Sequence, residues 1–249
     1  MRKVVLTGVV MVLGWSAQAD AQWLPLEGKA FVDINGLYQA HSQELTQQGT
    51  FSLYDEQGTF DAKYGVDNGG VWDFGFGYRV WRDLSVGLGM SQFQKKGSAS
   101  VTGSVPHPLF FGRPRSSTKD LTTNHKSRAI YLQAIWNYRL PDIEKLNLSL
   151  MIGPTHLRVT QELATGATIS EVGAPYSSVN VNPAVVGRTK STIGVLVGAD
   201  ISYSFHPNAG AGLLLRYIGG NVEVPGLNNE KLKVDAAGFQ VGGGVRLRF

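Results

Sequence analysis

Apolar and polar residues alternate with a period of two along most of the chain. Between residues 193 and 205 the odd positions are Ile, Val, Ala, Tyr or Phe, whereas the even positions are Gly, Leu, Asp or Ser. Residues 237–249 repeat the pattern, with apolar residues or glycine at odd positions and Gly, Gln or Arg at even ones. Successive side chains of a strand point to opposite faces, so each segment is predicted to be a strand with one apolar face.

The same alternation predicts eight strands in total. They cover residues 28–40, 72–80, 84–91, 128–140, 146–152, 193–205, 211–217 and 237–249. In the fifth strand the alternation changes phase at Gly153-Pro154. We interpret this change as a bulge, because proline is tolerated at bulges.

The connections between these strands alternate between long and short. The predicted long loops are residues 41–69, 97–126, 161–191 and 225–233, and the short turns lie at residues 82–83, 141–145 and 206–209. An even number of strands with long loops at one end is typical of outer-membrane barrels. A soluble sandwich would carry a richly charged outer face, whereas the second face here is small and sparsely charged, which suits a narrow lumen.

We therefore predict an all-β protein that forms an eight-stranded antiparallel up-and-down transmembrane β-barrel. Ten strands are the alternative, if residues 50–64 form a hairpin of their own around Asp55–Gly58.

Composition narrows the chemistry available to this fold. Of 249 residues, 17% are charged, 43% are hydrophobic and 31 are glycine, and the formal net charge is +4. The chain has no cysteine, which excludes thiol nucleophiles, cysteine-ligated metal sites, iron–sulfur clusters and disulfides. The small net charge does not indicate a nucleic-acid partner.

Residues 1–21 have the pattern of a secretory signal peptide. A basic start at Arg2 and Lys3 precedes the apolar segment 4–15, and small residues at Ala17, Ala19 and Ala21 offer cleavage sites. We therefore predict a cleaved signal peptide over residues 1–21 and an exported barrel domain over residues 22–249.

The signal peptide and the closing segment Gly244-Val245-Arg246-Leu247-Arg248-Phe249 carry a resemblance to a known family. The chain resembles the small outer-membrane β-barrels that include the transmembrane domain of outer membrane protein A. The resemblance implies the outer membrane of a Gram-negative-type envelope. It also implies that Val245, Leu247 and Phe249 form the signal read by the barrel-assembly machinery. Such barrels include adhesins, stabilisers, pores and lipid-modifying enzymes, so the resemblance does not select an activity.

Four charged residues are predicted to meet inside the barrel. By parity and height, Asp33, Asp200, Arg216 and Arg246 face the lumen on strands that closure makes neighbours. Burial of an unpaired charge is costly, so we expect a shared network of two carboxylates and two guanidiniums. We interpret it as a plug that fixes the lumen, with a gate for water or ions as the alternative.

The predicted loops segregate charge, because residues 41–70 are mostly acidic and residues 95–128 mostly basic. The basic loop is predicted to bind lipopolysaccharide phosphates, or alternatively to pair with its acidic neighbour. Phe110 and Phe111, flanked by prolines, form a partner-binding knob, cover the barrel mouth or dip into the outer leaflet. The candidate residues of this loop are Lys95, Lys96, Phe110, Phe111, Arg113 and Arg115.

No arrangement of the five histidines indicates a catalytic or metal-binding group. We therefore expect no catalytic residues, metal or cofactor. The predicted function is that of a non-catalytic, monomeric outer-membrane protein with a structural or surface-interaction role through its long loops. Its expected partners are outer-membrane lipid, lipopolysaccharide and the assembly machinery, and not nucleic acid. A small porin-like pore and a lipid-modifying enzyme are the alternatives.

Overall fold

The computed structural model describes residues 29–140, 143, 145–226, 231–235 and 238–249. The predicted signal peptide lies outside these residues. No helix in the described part of the chain is long and apolar enough to cross a membrane. The strands are β1 (Ala30–Ala40), β2 (Gln43–Leu53), β3 (Glu56–Val66), β4 (Gly69–Trp81), β5 (Leu84–Val105), β6 (Arg115–Arg139), β7 (Leu146–Glu171), β8 (Val179–His206), β9 (Ala209–Gly219), β10 (Asn221–Pro225), β11 (Lys231–Asp235) and β12 (Gly238–Arg248).

Eight of these strands close into a barrel in the order β5-β4-β1-β12-β9-β8-β7-β6, and β6 pairs back onto β5. The first and last strands of the ring, β1 and β12, pair from Phe31↔Arg248 to Ala40↔Phe239. Closure leaves this ring without an open strand edge. The predicted eight-stranded antiparallel barrel is confirmed. The β2–β3 hairpin of the ten-stranded alternative does form, but β3 pairs with the far end of β5 instead of entering the ring.

The outside of the ring is an apolar surface that alternates with small or polar residues facing the lumen. Large apolar side chains are exposed along every strand of the ring, a pattern that a water-soluble surface does not tolerate but a bilayer requires. We call this surface the lipid-facing belt. It includes Ile34, Phe74, Phe76, Val86, Leu88, Met90, Ile130, Leu132, Leu150, Ile152, Val195, Val197, Ile201, Leu213, Leu215, Val241 and Val245.

Four strands continue far beyond the belt. Strands β5, β6, β7 and β8 have 22, 25, 26 and 28 residues, whereas a strand crosses a bilayer in about 9–11 residues. The predicted loops 97–126 and 161–191 are therefore wrong, because most of both segments is strand. In β5 the backbone pairing continues because Gly97, Ala99 and Val101 keep alternating with polar residues. Within these two segments the chain reverses at residues 106–114 and 172–178.

The strand extensions and two hairpins form a packed unit that we call the head. The chain runs from β1 into β2, from β3 into β4, from β9 into β10 and from β11 into β12, so the hairpins β2–β3 and β10–β11 stand directly above the ring. The head is packed around a buried core that continues from the apolar residues inside the ring, so it is not a set of solvated loops. That core includes Leu45, Phe60, Ala62, Tyr64, Val101, Val159, Leu163, Val222, Val224, Leu232 and Val234.

The bulge expected at Gly153-Pro154 is absent from the pairing of β7 with β8. Gly153 pairs with Leu196 and Pro154 with Val195 in an unbroken register. What changes at this point is which side of β7 carries the apolar side chains. Ile152 is exposed on the belt, whereas Leu157 is buried inside, because the strand leaves the bilayer and enters the head.

Candidate functional site

The lumen is crossed by buried ion pairs. Arg246, on β12, donates from Nε to Asp200 Oδ1 at 3.2 Å and from Nη2 to the other carboxylate oxygen. Its Nη1 donates to Asn35 Oδ1 at 2.6 Å, and its Nε lies 3.9 Å from Asp33 Oδ1. Asp33 has a closer partner in Arg248, whose Nη1 lies 2.6 Å from Asp33 Oδ1. Arg246 therefore brings both predicted carboxylates together.

Arg216 belongs to the same region but has a different carboxylate. Its Nη1 lies 2.7 Å from Asp73 Oδ2, and its Nε donates to Gln240 Oε1 at 2.8 Å. Its guanidinium stands 5.2 Å from the centroid of the Tyr131 ring. Arg216 is thus paired with Asp73 on β4, and not with Asp33 or Asp200 as the sequence analysis expected.

Asn35 joins the two ion pairs into one network. Its Nδ2 donates to Asp73 Oδ1 at 2.8 Å while its Oδ1 accepts from Arg246. Tyr131 donates its hydroxyl to Asp73 Oδ2 at 2.7 Å. The side chains fill the barrel and leave a cavity of ≈ 40 Å³, enough for a few water molecules. We call this set the lumen network: Asn35, Asp73, Tyr131, Asp200, Arg216, Gln240 and Arg246.

An apolar layer lies between the lumen network and the head. Its side chains are at most 5% exposed, so they pack without a water-filled gap of their own. An ion that crossed the barrel would have to pass this layer after the charged network. The layer consists of Leu37, Val71, Phe93, Leu157, Leu196 and Ile218.

A buried histidine lies above the belt, in the upper part of the lumen. His125 Nδ1 is 2.7 Å from Gln161 Oε1, and its ring meets that of Phe93 edge-on at 5.7 Å. Burial lowers the pKa of His125, and the hydrogen bond to Gln161 opposes this shift. An amide partner does not stabilise an imidazolium as a carboxylate would, so the arrangement differs from the base of a hydrolytic triad.

The far end of the head is fastened by one ion pair. Arg115, at the start of β6, binds Glu171, at the end of β7, through two bonds, one of them 2.7 Å from Nη2 to Oε1. The Tyr54 hydroxyl, in the β2–β3 turn, donates to the same Oε1 at 3.1 Å. Arg115 also donates to the carbonyl oxygens of Pro106 and Tyr176. This tip clamp of Tyr54, Arg115 and Glu171 joins three hairpin ends.

The clamp removes Arg115 from the predicted lipopolysaccharide-binding set. Its side chain is buried and every contact above lies within the protein. The remaining cations are also dispersed: Lys95 is half-buried, Lys96 is exposed lower on β5, and Arg113 stands beside Phe110 at the tip. The six candidate residues are therefore not gathered in one loop, and binding of lipopolysaccharide by cations of residues 95–128 stays a prediction.

Residues 106–114 present an ordered apolar tip. Phe111 is 84% exposed, Leu109 66% and Phe110 55%. His107 Nδ1 accepts the backbone N–H groups of Leu109 and Phe110 at 3.1 and 3.2 Å. We call Leu109–Phe111 the apolar tip.

The height of the apolar tip excludes two of its three interpretations. Met90 lies on the lipid-facing belt, and β5 continues from it without a break to Val105. Because a strand rises about 3.3 Å per residue, the end of β5 and the apolar tip that follows it stand far above the belt. The apolar tip therefore neither covers the barrel mouth nor enters the outer leaflet. The interpretation as a partner-binding knob stays a prediction.

The clamp predicts a pH-dependent order at the tip. The hydrogen bond from Arg115 holds the pKa of Glu171 below its usual range. The clamp therefore stabilises the tip fully at pH values above the ordinary pKa of a glutamate. This stabilisation is lost as the pH falls through the lowered pKa of Glu171. Arg115→Leu at pH 7 should reduce amide-exchange protection in residues 106–114 and 172–178 about tenfold. Wild-type protein should lose the same protection only in strong acid. Arg113→Gln is the matched control, and equal loss there would contradict the clamp.

The C-terminal residues lie where the assembly prediction needs them. The Phe249 backbone exchanges two hydrogen bonds with Ala30, of 2.9 and 3.1 Å. The side chains of Phe249 and Val245 are exposed on the outside, and Leu247 is half-buried. Recognition of these residues by the assembly machinery stays a prediction.

Comparison with known proteins identifies the fold. No family model matches the chain, and no curated protein matches it. Among solved structures, the outer membrane protein OprG from Pseudomonas aeruginosa superposes with a TM-score of 0.52 at 10% identity, over 90% of this chain and 97% of that one. The chain has the fold of small outer-membrane β-barrel proteins. Neisserial surface protein A, with a TM-score of 0.44 and 14% identity, covers 89% of this chain and 97% of its own. The outer membrane protease OmpT from Escherichia coli has a TM-score of 0.45 and 12% identity, and the match covers 92% of this chain and 99% of that one.

Proposed function

We propose that the protein is a non-catalytic, non-conducting outer-membrane barrel whose head binds a partner outside the cell through the apolar tip. The observation that carries this proposal is the exposure of Leu109, Phe110 and Phe111 on a segment held in place by the tip clamp. Apolar side chains fixed in water gain free energy when a partner covers them, and such clusters mark interaction sites.

The location is supported by the belt and its borders. Aromatic residues such as Trp72 and Tyr217 stand at the end of the belt nearer the head, and Trp81 and Phe205 at the opposite end. Aromatic girdles of this kind border the lipid-facing band of outer-membrane barrels. Short turns mark the periplasmic end of such barrels, so the end with the turns at 82–83 and 207–208 faces the periplasm and the head faces outwards.

We favour a closed lumen over the porin-like pore. The lumen network places Arg216 and Arg246 across the bore, each about 2% exposed, and the apolar layer follows above it. Eight strands leave an interior just wide enough for side chains to fill. We therefore propose that the ring anchors the head and does not transport.

The absence of catalysis is proposed on the chemistry of the interior. The head encloses a cavity of ≈ 380 Å³, a size suited to small ligands. Its described lining includes Phe51, Phe60, Val105 and Ile169 and contains no titratable side chain. Among the described residues, no group of three or more His, Asp or Glu side chains is arranged to hold a metal ion. This cavity therefore offers no acid–base pair that could activate a nucleophile.

The test of the proposed function is adhesion to an apolar surface. Cells that display the wild-type protein should partition to a hexadecane interface more than cells that display Phe110→Ser/Phe111→Ser, by several-fold, because the double variant removes the largest exposed rings of the tip. The matched control is Val185→Ser/Val186→Ser, two exposed apolar residues on β8, which should behave like wild type.

Equal partitioning of the tip variant and wild type, at equal surface amounts, would contradict a role for the tip. A second measurement separates the pore alternative. Purified protein in planar bilayers should give no steady single-channel conductance, and a stable open level would overturn the closed lumen.

A further inference from the structure

The border of the belt nearer the head is aromatic on four neighbouring strands and cationic on two others, β6 and β7. On β4, β1, β12 and β9 the outward positions at this border are Trp72, Tyr38, Phe239 and Tyr217. On β6 the outward positions that follow Ile130 are Arg128 and then Lys126, both exposed. On β7 the exposed outward residues beyond Pro154 are His156 and Arg158.

Strand register brings these cations together. Arg128 is directly opposite Arg158 in the β6–β7 ladder, and directly opposite side chains have Cβ atoms about 4.5–5.5 Å apart. Lys126 is the next outward residue on β6, opposite Thr160. Lys96 on β5 is opposite Asn124 and therefore diagonal to Lys126. The structure thus gathers cations that are up to 62 residues apart, from 96 to 158, into one outward patch.

The protein supplies little to neutralise this patch. None of Lys96, Lys126, Arg128 and Arg158 takes part in an ion pair within the described residues. Arg128 donates to the neutral Gln92 at 3.3 Å. Glu162, the carboxylate nearest in register, is already bonded to the Asn124 backbone and side chain at 2.7 and 3.0 Å. Like charges directly opposite each other destabilise a sheet unless an anion lies between them.

We propose that Lys126, Arg128 and Arg158 bind the phosphate groups of outer-leaflet lipids, with Lys96 at the upper rim. The proposal rests on the outer-membrane location proposed above. A lipid is favoured over a free phosphate because the patch begins one outward step above Ile130 and beside Ile193, which is 79% exposed on the belt. A phosphorylated lipid can therefore place its chains on the belt and its phosphate between the two arginines, which suit planar two-point recognition.

The test measures binding of lipopolysaccharide to purified, delipidated protein in neutral detergent. Wild type should bind lipopolysaccharide and lose it as salt is raised, because the contacts are charge-based and exposed. Lys126→Gln/Arg128→Gln/Arg158→Gln should weaken binding about 100-fold, since each cation near an anionic leaflet contributes about fivefold. Dephosphorylated lipopolysaccharide should bind wild type as weakly as the variant does.

The control variant, Lys63→Gln/Lys119→Gln/Arg188→Gln, removes the same formal charge from exposed positions of the head and should retain binding. Equal loss in both variants would reduce the effect to net charge and overturn the site. Equal binding of intact and dephosphorylated lipopolysaccharide, or displacement by millimolar inorganic phosphate, would overturn the lipid phosphate. Unfolding midpoints of the variants establish that they are folded, and cell fractionation tests the location separately.

Discussion

Replacing Arg246 by leucine is expected to lower the free energy of unfolding in detergent by about 3–5 kcal/mol. Arg246 is 2% exposed and is the residue that hydrogen-bonds both oxygens of Asp200, itself 5% exposed. Leucine would leave this carboxylate charged, buried and without a counter-ion. It would also remove the donor to Asn35, which links the two halves of the lumen network. The measurement is the denaturant midpoint followed by tryptophan fluorescence.

Two further variants separate the buried pair from charge in general. Arg248→Leu should cost less, because Arg248 is half-buried and its partner Asp33 is more exposed than Asp200. Arg246→Leu/Asp200→Leu should recover part of the loss, since removing both partners leaves no stranded charge. If Arg246→Leu unfolds at the wild-type midpoint, the lumen network does not stabilise the barrel.

The ring could be predicted because the bilayer imposes a simple pattern. A strand such as β8 must be apolar on its outer side wherever it meets lipid, from Ile193 to Phe205, and its lumen side must be small because the bore is narrow. That requirement leaves a period of two over the whole membrane-spanning length. The number of strands and their pairing order follow from counting such segments.

The head was missed because the apolar side of a strand reverses at the bilayer border. In β7, Leu150 and Ile152 face lipid, and beyond the border Leu157, Val159 and Leu163 face the core of the head. If the apolar residues of a strand are expected on one side throughout, this reversal looks like the end of the strand or a bulge. The signal was present: Val101 and Val105 alternate with polar residues in β5 with the same reversed phase.

The lumen network was only partly predictable, because a long side chain can reach partners on strands across the bore. Asp73 occupies an inward position between Trp72 and Phe74, so its direction could be predicted. Its pairing with Arg216 could not, since β4 and β9 are not neighbours in the ring. Arg115 is a similar case. It lies in a basic stretch of the sequence, so its charge suggests a role at the surface. Its burial follows from a contact with Glu171 on β7, which is distant in sequence.

Placing an arginine on the lipid-facing belt should cost far more than placing it on the same face of the same strand in the head. Val197→Arg is expected to reduce the free energy of folding into lipid vesicles by roughly 2–4 kcal/mol, because the guanidinium would lie in hydrocarbon. Val185→Arg, also outward on β8, should change stability by no more than about 0.5 kcal/mol, because this position is in water. Val197 is 47% and Val185 36% exposed, so the two sites differ in their surroundings and not in crowding. Urea titration of each variant in vesicles measures both values. Equal costs would mean that β8 does not cross from lipid into water between these residues, and that the border between belt and head is misplaced.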